Sequence, residues 1–277
     1  MALLAGRSRL DIMGTTSLPI RRLRTAGLLS DRRCRFQRMR IRLADGAATT
    51  LHVASYESEA YAPRVVLLDH PAQLAQWCRG QRVRHAVVGG FFARPRYAPL
   101  GQVLINGEDR SSLSFDPPWG DVRACLHVVD GAVRIARRDE LSPDPGGDLL
   151  QTGPLLVRGG RRVVADGQDA EGFSAGAHQF DSDITRGRYP RAALAVAGER
   201  LLAVACDGRT SKDAGMTLTE LADAFLELGA TEALNLDGGG SASLVHHGRL
   251  RNRPREEHGM DVLGGRPIVT AIVFEPR

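Results

Sequence analysis

At residues 233–245 the chain reads Ala233-Leu234-Asn235-Leu236-Asp237-Gly238-Gly239-Gly240-Ser241-Ala242-Ser243-Leu244-Val245, so a carboxylate and three glycines stand between two apolar runs. This pattern predicts a strand, an open turn and a second strand. Glycines carry no Cβ, so the backbone N–H groups of the turn can converge on an anion or a sugar. The same residues also fit a plain hairpin whose glycines only supply positive φ angles.

The chain resembles the phosphodiester glycosidase family, whose hallmark is a block of the type NLDGGGS, found here at residues 235–241. Other segments match that family in order and spacing: residues 188–193, 206–211, 215–222, 252–254 and 265–268. Weaker similarity covers residues 89–92 and 153–157. The resemblance therefore extends from about residue 85 to the C-terminus and leaves the first stretch uncovered.

The resemblance implies a hydrolase that cleaves a sugar-1-phosphodiester at the anomeric carbon. Such a reaction passes through an oxocarbenium-like state, which one carboxylate stabilises or attacks while a second acid protonates the leaving oxygen. We predict Asp237 and Asp207 as these two carboxylates, because each ends a hydrophobic strand and opens a glycine-containing turn. Which carboxylate takes which role stays open.

The phosphate must also be held, and arginine forks and backbone N–H groups suit that task. We predict Arg191 and Arg209 as the phosphate clamp. The turn formed by Gly238, Gly239, Gly240 and Ser241 is the predicted backbone donor, with the hydroxyls of Ser211 and Ser241 assisting. Matching positions of the family add these candidate binding residues: Asn235, Gly89, Gly90, Phe92, Asn252 and Arg266.

Ordinary structural roles compete with these assignments. Asp207 and Gly208 also fit a type I′ turn. Arg191 can pair at the surface with Asp181 or Asp183, and such pairs are typically worth only about 0 to 1 kcal/mol. Asn252 can stabilise a turn before a proline, Arg266 can be a surface charge, and one of the two phenylalanines at positions 91 and 92 is expected in the core.

One position departs from the family pattern. The family usually has an asparagine before the paired glycines and aromatic residues, and this chain has Val88 there. Valine offers no hydrogen bond, so His70, Arg94 or Arg96 would have to compensate. The departure motivates an alternative function, a non-catalytic glycan or sugar-phosphate binding protein of polysaccharide metabolism.

Charge is distributed unevenly along the chain. Eleven arginines and two aspartates give residues 1–42 a net charge of +9, and since the whole chain carries +5, the remainder carries −4. We predict a basic, disordered arm at residues 1–35 and one domain at residues 36–277. A third hypothesis is that the arm binds polyanions, but no sequence motif supports specific nucleic-acid binding. The oligomeric state stays open.

Composition limits the class of protein. A chain of 277 residues with 43% hydrophobic content can bury a full core. No apolar run approaches the length needed to span a bilayer, and nothing at the N-terminus clearly directs export. Four separated cysteines without a CxxC pair argue against a disulfide scaffold and indicate a reducing compartment. We therefore predict a cytoplasmic protein.

Strand patterns predominate and regular βαβ alternation is absent, which predicts an α+β fold with a largely antiparallel or mixed sheet. A DG turn at residues 45–46 predicts a hairpin between the strands 39–43 and 49–54. The capping pair Thr217 and Glu220, with Gly229 as a stop, predicts the one long helix. A shorter helix is predicted at residues 71–78.

Signals for a metal or cofactor are weak, and none is predicted. The segments 181–183 and 166–171 carry oxygen ligands that suit Ca²⁺, but neither has the spacing of an EF-hand loop. The pair His246 and His247 and the single His258 form no HExxH motif, which argues against zinc.

Overall fold

The structure is a computed structural model that describes residues 33–174 and 184–277 and the backbone of residues 22 and 23. The described chain has the predicted α+β fold, with mostly antiparallel strands in several sheets and few helices. In chain order the strands are β1 (Arg22–Leu23), β2 (Cys34–Arg42), β3 (Ala48–Glu57), β4 (Tyr61–Ala72), β5 (His85–Val88), β6 (Phe92–Ala93), β7 (Ala98–Pro99), β8 (Val103–Ile105), β9 (Glu108–Asp109), β10 (Ala124–Val129), β11 (Ala132–Arg137), β12 (Asp148–Gln151), β13 (Leu155–Arg158), β14 (Arg161–Arg162), β15 (Arg191–Ala197), β16 (Arg200–Cys206), β17 (Glu232–Asn235), β18 (Leu244–His246), β19 (Arg249–Leu250) and β20 (Ile268–Pro276). The α-helices are α1 (Leu74–Gln81), α2 (Trp119–Val122) and α3 (Leu218–Glu227), and 3-10 turns cover Arg138–Glu140, Gly239–Ser241 and Glu257–Gly259.

Three sheets and one strand pair make up the described fold. The first sheet has eight strands in the order β1-β2-β3-β16-β15-β17-β13-β14. The second sheet has the order β11-β10-β12-β8-β9, the third has the order β19-β18-β5-β20-β4, and β6 pairs with β7. All pairings between these strands are antiparallel, so the largely antiparallel core predicted from the sequence is confirmed.

The first sheet is buried on both faces. In β15, Leu194 packs in the cluster shared with the third sheet and α1, whereas Ala193 and Ala195 pack in the cluster under α3. Successive residues of a strand point to opposite faces, so both faces of this strand must be apolar. This requirement explains the uninterrupted run of small and branched apolar residues in β15 and β16.

The predicted local elements are largely observed. β2 and β3 form the predicted hairpin, and Thr217 accepts from the N–H of Glu220 while Glu220 accepts from the N–H of Thr217 at the start of α3. The shorter helix, α1, begins three residues later than predicted. Pro71 and its neighbour Ala72 still belong to β4, and Ala72 pairs with Ile268 of β20.

The triple-glycine segment is not a hairpin. β17 belongs to the first sheet and β18 to the third, so residues 236–243 cross from one sheet to the other. The N–H of Leu236 donates to Ala192 O of the first sheet at 2.9 Å, and the N–H of Asp237 donates to Gly89 O at 3.0 Å, just beyond β5 of the third sheet. Asp237 therefore lies where the two sheets meet.

Antiparallel register gathers the other predicted motifs at the same place. Arg191, which begins β15, pairs with Cys206 at the end of β16, and Ala193 pairs with Asn235 at the end of β17. The start of β15 therefore adjoins the ends of both neighbours. Segments far apart in sequence meet at one edge of the first sheet.

Most of the predicted arm lies outside the described residues, and its separation from the domain at residue 35 stays a prediction. Within it, β1 pairs with β2 through Arg22 and Ile41, and β2 begins at Cys34. Throughout the described part of the chain, no helix combines the length and the apolar character that crossing a bilayer requires.

Candidate active site

A cavity of about 770 Å³ opens at the junction of the first and third sheets. This volume lies in the range of small-molecule sites. Its polar and charged lining residues are Arg94, Tyr189, Arg191, Arg209, Asn235, Asp237, Glu256, Glu257, His258 and Arg266. Its apolar lining residues are Phe91, Phe92, Ala93, Leu100, Leu113, Ile184, Pro190, Leu236 and Met260. The cavity therefore combines carboxylates, guanidinium groups and an apolar wall.

Asp237 is the carboxylate at the turn after β17. Burial raises its pKa from 3.8 to about 6, against the opposing influence of the Ser241 side chain, the charge of Arg266 and the N–H of Gly238. That N–H donates to Asp237 Oδ1 at 2.8 Å, and the charge of Glu256 raises the pKa further. A carboxyl that titrates near pH 6 can both donate and accept a proton under ordinary conditions.

Glu256 is a second carboxylate of the cavity, and sequence reasoning missed it. Arg266 donates to it from Nε at 2.7 Å and from Nη2 at 2.6 Å. Arg209 Nη1 lies 4.0 Å from Glu256 Oε2. Two guanidinium groups thus face this carboxylate, and the predicted residue Arg266 belongs to the site as its partner.

Arg191 and Arg209 both line the cavity, as predicted, and both contact the ring of Tyr189. The guanidinium carbons of Arg191 and Arg209 stand 5.3 and 5.4 Å from the centre of the Tyr189 ring. Cation–π contacts of this kind hold guanidinium groups in place. Arg191 also donates from Nε to Met216 O at 3.0 Å, and Arg209 donates from Nη1 to Arg255 O at 2.9 Å. The two cations are therefore positioned before any anion binds.

Asp207 is not among the residues that line the cavity. Its side chain is buried, with Oδ2 3.0 Å from His52 Nε2 and Oδ1 accepting from the N–H of Arg253 at 2.7 Å. Burial raises its pKa, but the hydrogen bond and charge of His52 and the N–H of Arg253 outweigh burial and hold the pKa below 3.8. The geometry favours a supporting role, in which Asp207 anchors the chain that leads to Glu256. Its catalytic role stays a prediction.

Three backbone donors of the glycine turn are bonded to acceptors within the protein. The N–H of Gly239 donates to Pro190 O at 2.8 Å, that of Ser241 donates to Gly238 O at 3.1 Å, and that of Gly238 donates to Asp237. These three N–H groups already have acceptors within the protein, and the role of the turn as a backbone donor to an anion stays a prediction. Gly238 and Gly239 line the cavity, whereas Gly240 and Ser241 do not.

Gly240 has a steric role behind the cavity wall. A Cβ at this position would lie 2.4 Å from Glu256 Oε1, and Gly240 O accepts from the N–H of Arg266 at 2.8 Å. The missing side chain therefore makes room for the ion pair between Glu256 and Arg266. Glycine is needed here for close approach rather than for ligand binding.

The two predicted asparagines have different positions. Asn235 lines the cavity and is almost fully buried, and its Nδ2 donates to Gly153 O and Leu236 O, both at 2.9 Å. Asn252 lies outside the lining, where it accepts from the N–H of Leu244 at 2.9 Å and donates to Ala242 O at 2.7 Å. Asn252 thus fixes the crossing segment, as the structural alternative proposed.

The segment at residues 88–92 reaches the cavity only through its aromatic residues. Phe91 and Phe92 line the cavity. Gly90 donates its N–H to Thr270 Oγ1 at 3.0 Å, and Gly89 accepts from Asp237, so both glycines act in packing. Val88 is fully buried in the core cluster. Position 88 therefore does not line this cavity. Arg94, which the sequence suggested as a compensating group, does line it.

The remaining predictions for binding groups find no support in the described residues. Ser211 is exposed and is not part of the cavity lining. In the acidic loop suggested for Ca²⁺, Asp169 accepts from the N–H groups of Phe173 and Ser174, and Glu171 accepts from those of Ala124 and Leu155. Both carboxylates therefore stabilise the surrounding backbone by accepting hydrogen bonds from its N–H groups. Residues 181 and 183 lie outside the described residues.

The missed lining residues gave weak signals in the sequence. Glu256 and Glu257 stand in the charged run 253–257, which is typical of an exposed loop. Tyr189 is part of a matched segment, but nothing in the sequence indicated that its ring contacts two arginines. Their roles depend on the contacts of two distant loops.

A family model described as phosphodiester glycosidase matches residues 81–275. N-acetylglucosamine-1-phosphodiester alpha-N-acetylglucosaminidase of Mus musculus is 29% identical over 200 residues, which cover 70% of this chain and 38% of the mouse protein. The Bos taurus protein of the same name is 29% identical over 203 residues, which cover 68% of this chain and 36% of that protein. The chain thus spans less than two fifths of the length of these relatives.

Solved structures share the fold. The catalytic domain of zebrafish N-acetylglucosamine-1-phosphodiester alpha-N-acetylglucosaminidase, auto-inhibited by its pro-peptide, superposes with a TM-score of 0.67 at 18% identity, covering 88% of this chain and 83% of that one. A protein from Synechocystis superposes with a TM-score of 0.64 at 18% identity, covering 95% of this chain and 64% of that one. At these identities the likeness establishes the fold alone.

Proposed function

The chain belongs to the phosphodiester glycosidase family, and on that premise we propose that it hydrolyses a sugar-1-phosphodiester at the anomeric carbon. N-acetylglucosamine is the proposed sugar, because the mouse and bovine relatives are named for that substrate. The products would be the free sugar and a phosphomonoester. The observation that carries the proposal is the placement of Asp237, a carboxyl with a pKa of about 6, in a cavity that arginines also line.

In the proposed reaction the phosphate binds near Arg191 and Arg209. Both guanidinium groups line the cavity and contact the ring of Tyr189, so they are fixed before the substrate enters. Charge-assisted hydrogen bonds from arginine to phosphate oxygens gain strength as negative charge builds on the departing group. The arginines therefore stabilise the leaving phosphate more than the bound substrate.

Asp237 is the proposed acid–base residue. Its protonated form donates to the leaving phosphate oxygen, and its ionised form takes a proton from the attacking water. Glu256, held by Arg266, supplies a fixed negative charge that favours the oxocarbenium-like state. The apolar wall around Phe92 and Met260 lowers the local polarity and strengthens these charge interactions.

The proposal is tested with the purified chain and an alkyl phosphodiester of α-N-acetylglucosamine. We expect release of N-acetylglucosamine and an alkyl phosphate, and ³¹P NMR monitors the phosphate product. The Asp237→Asn variant is expected to be inactive. Asp69 is exposed, and the variant Asp69→Asn is the matched control. Saturable binding without product from the wild-type chain would overturn the enzymatic proposal and support the glycan-binding alternative.

A further inference from the structure

Four polar side chains meet in the core between the first and third sheets, away from the cavity. They are Cys34, Tyr56, His85 and His246, and none of them is exposed by more than 4%. None lines the cavity described above. Among the described residues, Cys34, His85 and His246 are the one group of three metal-ligating side chains whose ligand atoms lie within 4.8 Å of one another.

The strand register explains how this four-residue cluster forms. Cys34 of β2 pairs with Tyr56 of β3 in the first sheet, and His85 of β5 pairs with His246 of β18 in the third sheet. Residues directly opposite each other on antiparallel strands share a face. Each sheet thus contributes one cross-strand pair to the space between the sheets.

The distances within the cluster match a tetrahedron around a metal ion. The Nδ1 atoms of His85 and His246 are 3.3 Å apart, and Cys34 Sγ lies 3.8 and 4.0 Å from them. Tyr56 Oη lies 3.5 and 3.4 Å from the same two nitrogens. With usual bond lengths to Zn²⁺, tetrahedral ligand atoms stand about 3.3 Å apart for two nitrogens and about 3.6 Å apart for nitrogen and sulfur.

The two imidazole rings of the cluster have their polar side-chain contacts within it. Within the described chain, the polar contacts of the His85 ring go to Cys34, Tyr56 and His246. Burying polar groups in this way costs free energy unless a strong interaction offsets the loss of water. Coordination of a cation by both Nδ1 atoms and a thiolate is such an interaction.

We propose that Cys34, His85 and His246 bind one Zn²⁺ ion, with the Tyr56 hydroxyl on the fourth side. Thiolate and imidazole are the ligands that zinc prefers, and the absence of exposed surface at all four residues is typical of a structural rather than a catalytic site. The ion links the first sheet to the third. Its ligands are up to 212 positions apart in sequence, so no spacing motif reveals it.

Metal analysis of the full chain tests this site independently of any glycosidase activity. The protein is produced without a metal-affinity tag in zinc-supplemented medium, dialysed and analysed for metals. We expect about one zinc per chain in the wild type and in Cys125→Ser, which changes another buried cysteine. In Cys34→Ser and in His246→Asn, we expect the zinc content per chain to fall at least about tenfold. Folding of each variant is checked by circular dichroism.

Cobalt provides the second measurement and needs no variant. Refolding the wild-type chain with Co²⁺ is expected to give the intense visible bands of a tetrahedral site together with a thiolate charge-transfer band in the near ultraviolet. A folded wild-type chain that retains no zinc and gives no cobalt spectrum would overturn the proposal. So would zinc retained equally by Cys34→Ser, or copper bound in place of zinc after growth with both metals.

Discussion

The guanidinium of Arg266 donates two hydrogen bonds to the carboxylate of Glu256, with Nε to Oε1 at 2.7 Å and Nη2 to Oε2 at 2.6 Å. This forked pair forms part of the cavity wall beside Asp237. The charge of Arg266 lowers the pKa of Asp237, and the charge of Glu256 raises it. The ion pair therefore adds two opposing charges to the environment of the proposed acid–base residue, in which burial has the largest effect on the pKa.

Replacing Glu256 by glutamine should shift the pH dependence of the reaction. The variant Glu256→Gln removes a negative charge and leaves Arg266 without its partner carboxylate, and both changes lower the pKa of Asp237. We expect the pH optimum of kcat to move down by about one pH unit, since opposite charges nearby shift a carboxyl by about that much or more. Glu257→Gln changes an exposed carboxylate of the same cavity and is the control. Equal profiles for both variants would contradict the coupling.

Replacing Asp237 by asparagine should stabilise the folded chain at neutral pH. Because burial raises the pKa of Asp237 from 3.8 to about 6, the native state is penalised when the carboxyl is ionised. The penalty is fully present above about pH 6 and disappears as the pH falls below the unfolded value. We expect Asp237→Asn to raise the free energy of unfolding by up to about 3 kcal/mol at pH 7 and to have little effect at pH 3.5. Urea unfolding at both pH values measures this, with Asp69→Asn as control.

Removing the charge of Arg209 should weaken phosphate binding. The variant Arg209→Gln loses charge-assisted hydrogen bonds to phosphate, which are worth about 1.5–3 kcal/mol each, so the inhibition constant of a phosphomonoester product should rise about 10- to 100-fold. Arg162→Gln, which removes an arginine paired with Asp223 outside the cavity, should leave this constant unchanged. Unaltered inhibition in Arg209→Gln would remove this residue from the phosphate site.

Replacing Asp207 by asparagine distinguishes a structural role of this carboxylate from a catalytic role. The variant Asp207→Asn keeps an acceptor for the N–H of Arg253 but removes the carboxylate that contacts His52. We expect a loss of about 2–4 kcal/mol in stability, whereas kcat of the folded protein stays within about tenfold of the wild type. A fall in kcat of about 10²- to 10⁴-fold without a loss of stability would instead support the catalytic role predicted from the sequence.

The sequence contained enough to predict the fold class, the hairpin of β2 and β3, and helix α3. These features depend on local patterns, namely a DG turn, a capping box and apolar periodicity. The same locality left the hairpin alternative open at residues 236–243, because a strand, glycines and a strand fit a hairpin equally well. Only the pairing of β17 with β15 and of β18 with β5 shows that the segment changes sheets.

The candidate site was predictable where a residue type alone is informative. Asp237, Arg191 and Arg209 were predicted and do line one cavity. Asp207 has the same local pattern as Asp237, but its carboxylate faces His52 and the loop backbone instead. Glu256 could not be distinguished from a surface charge, because its role depends on Arg266, ten positions away across a loop.

The most direct test of the central claim is the position of bond cleavage in H₂¹⁸O. If Asp237 promotes hydrolysis at the anomeric carbon, the wild-type chain releases an alkyl phosphate that contains no ¹⁸O by ³¹P NMR, and kcat falls about 10²- to 10⁴-fold in Asp237→Asn. Label in the phosphate would show attack at phosphorus, and unchanged turnover in Asp237→Asn would exclude this carboxylate. Either result would contradict the account.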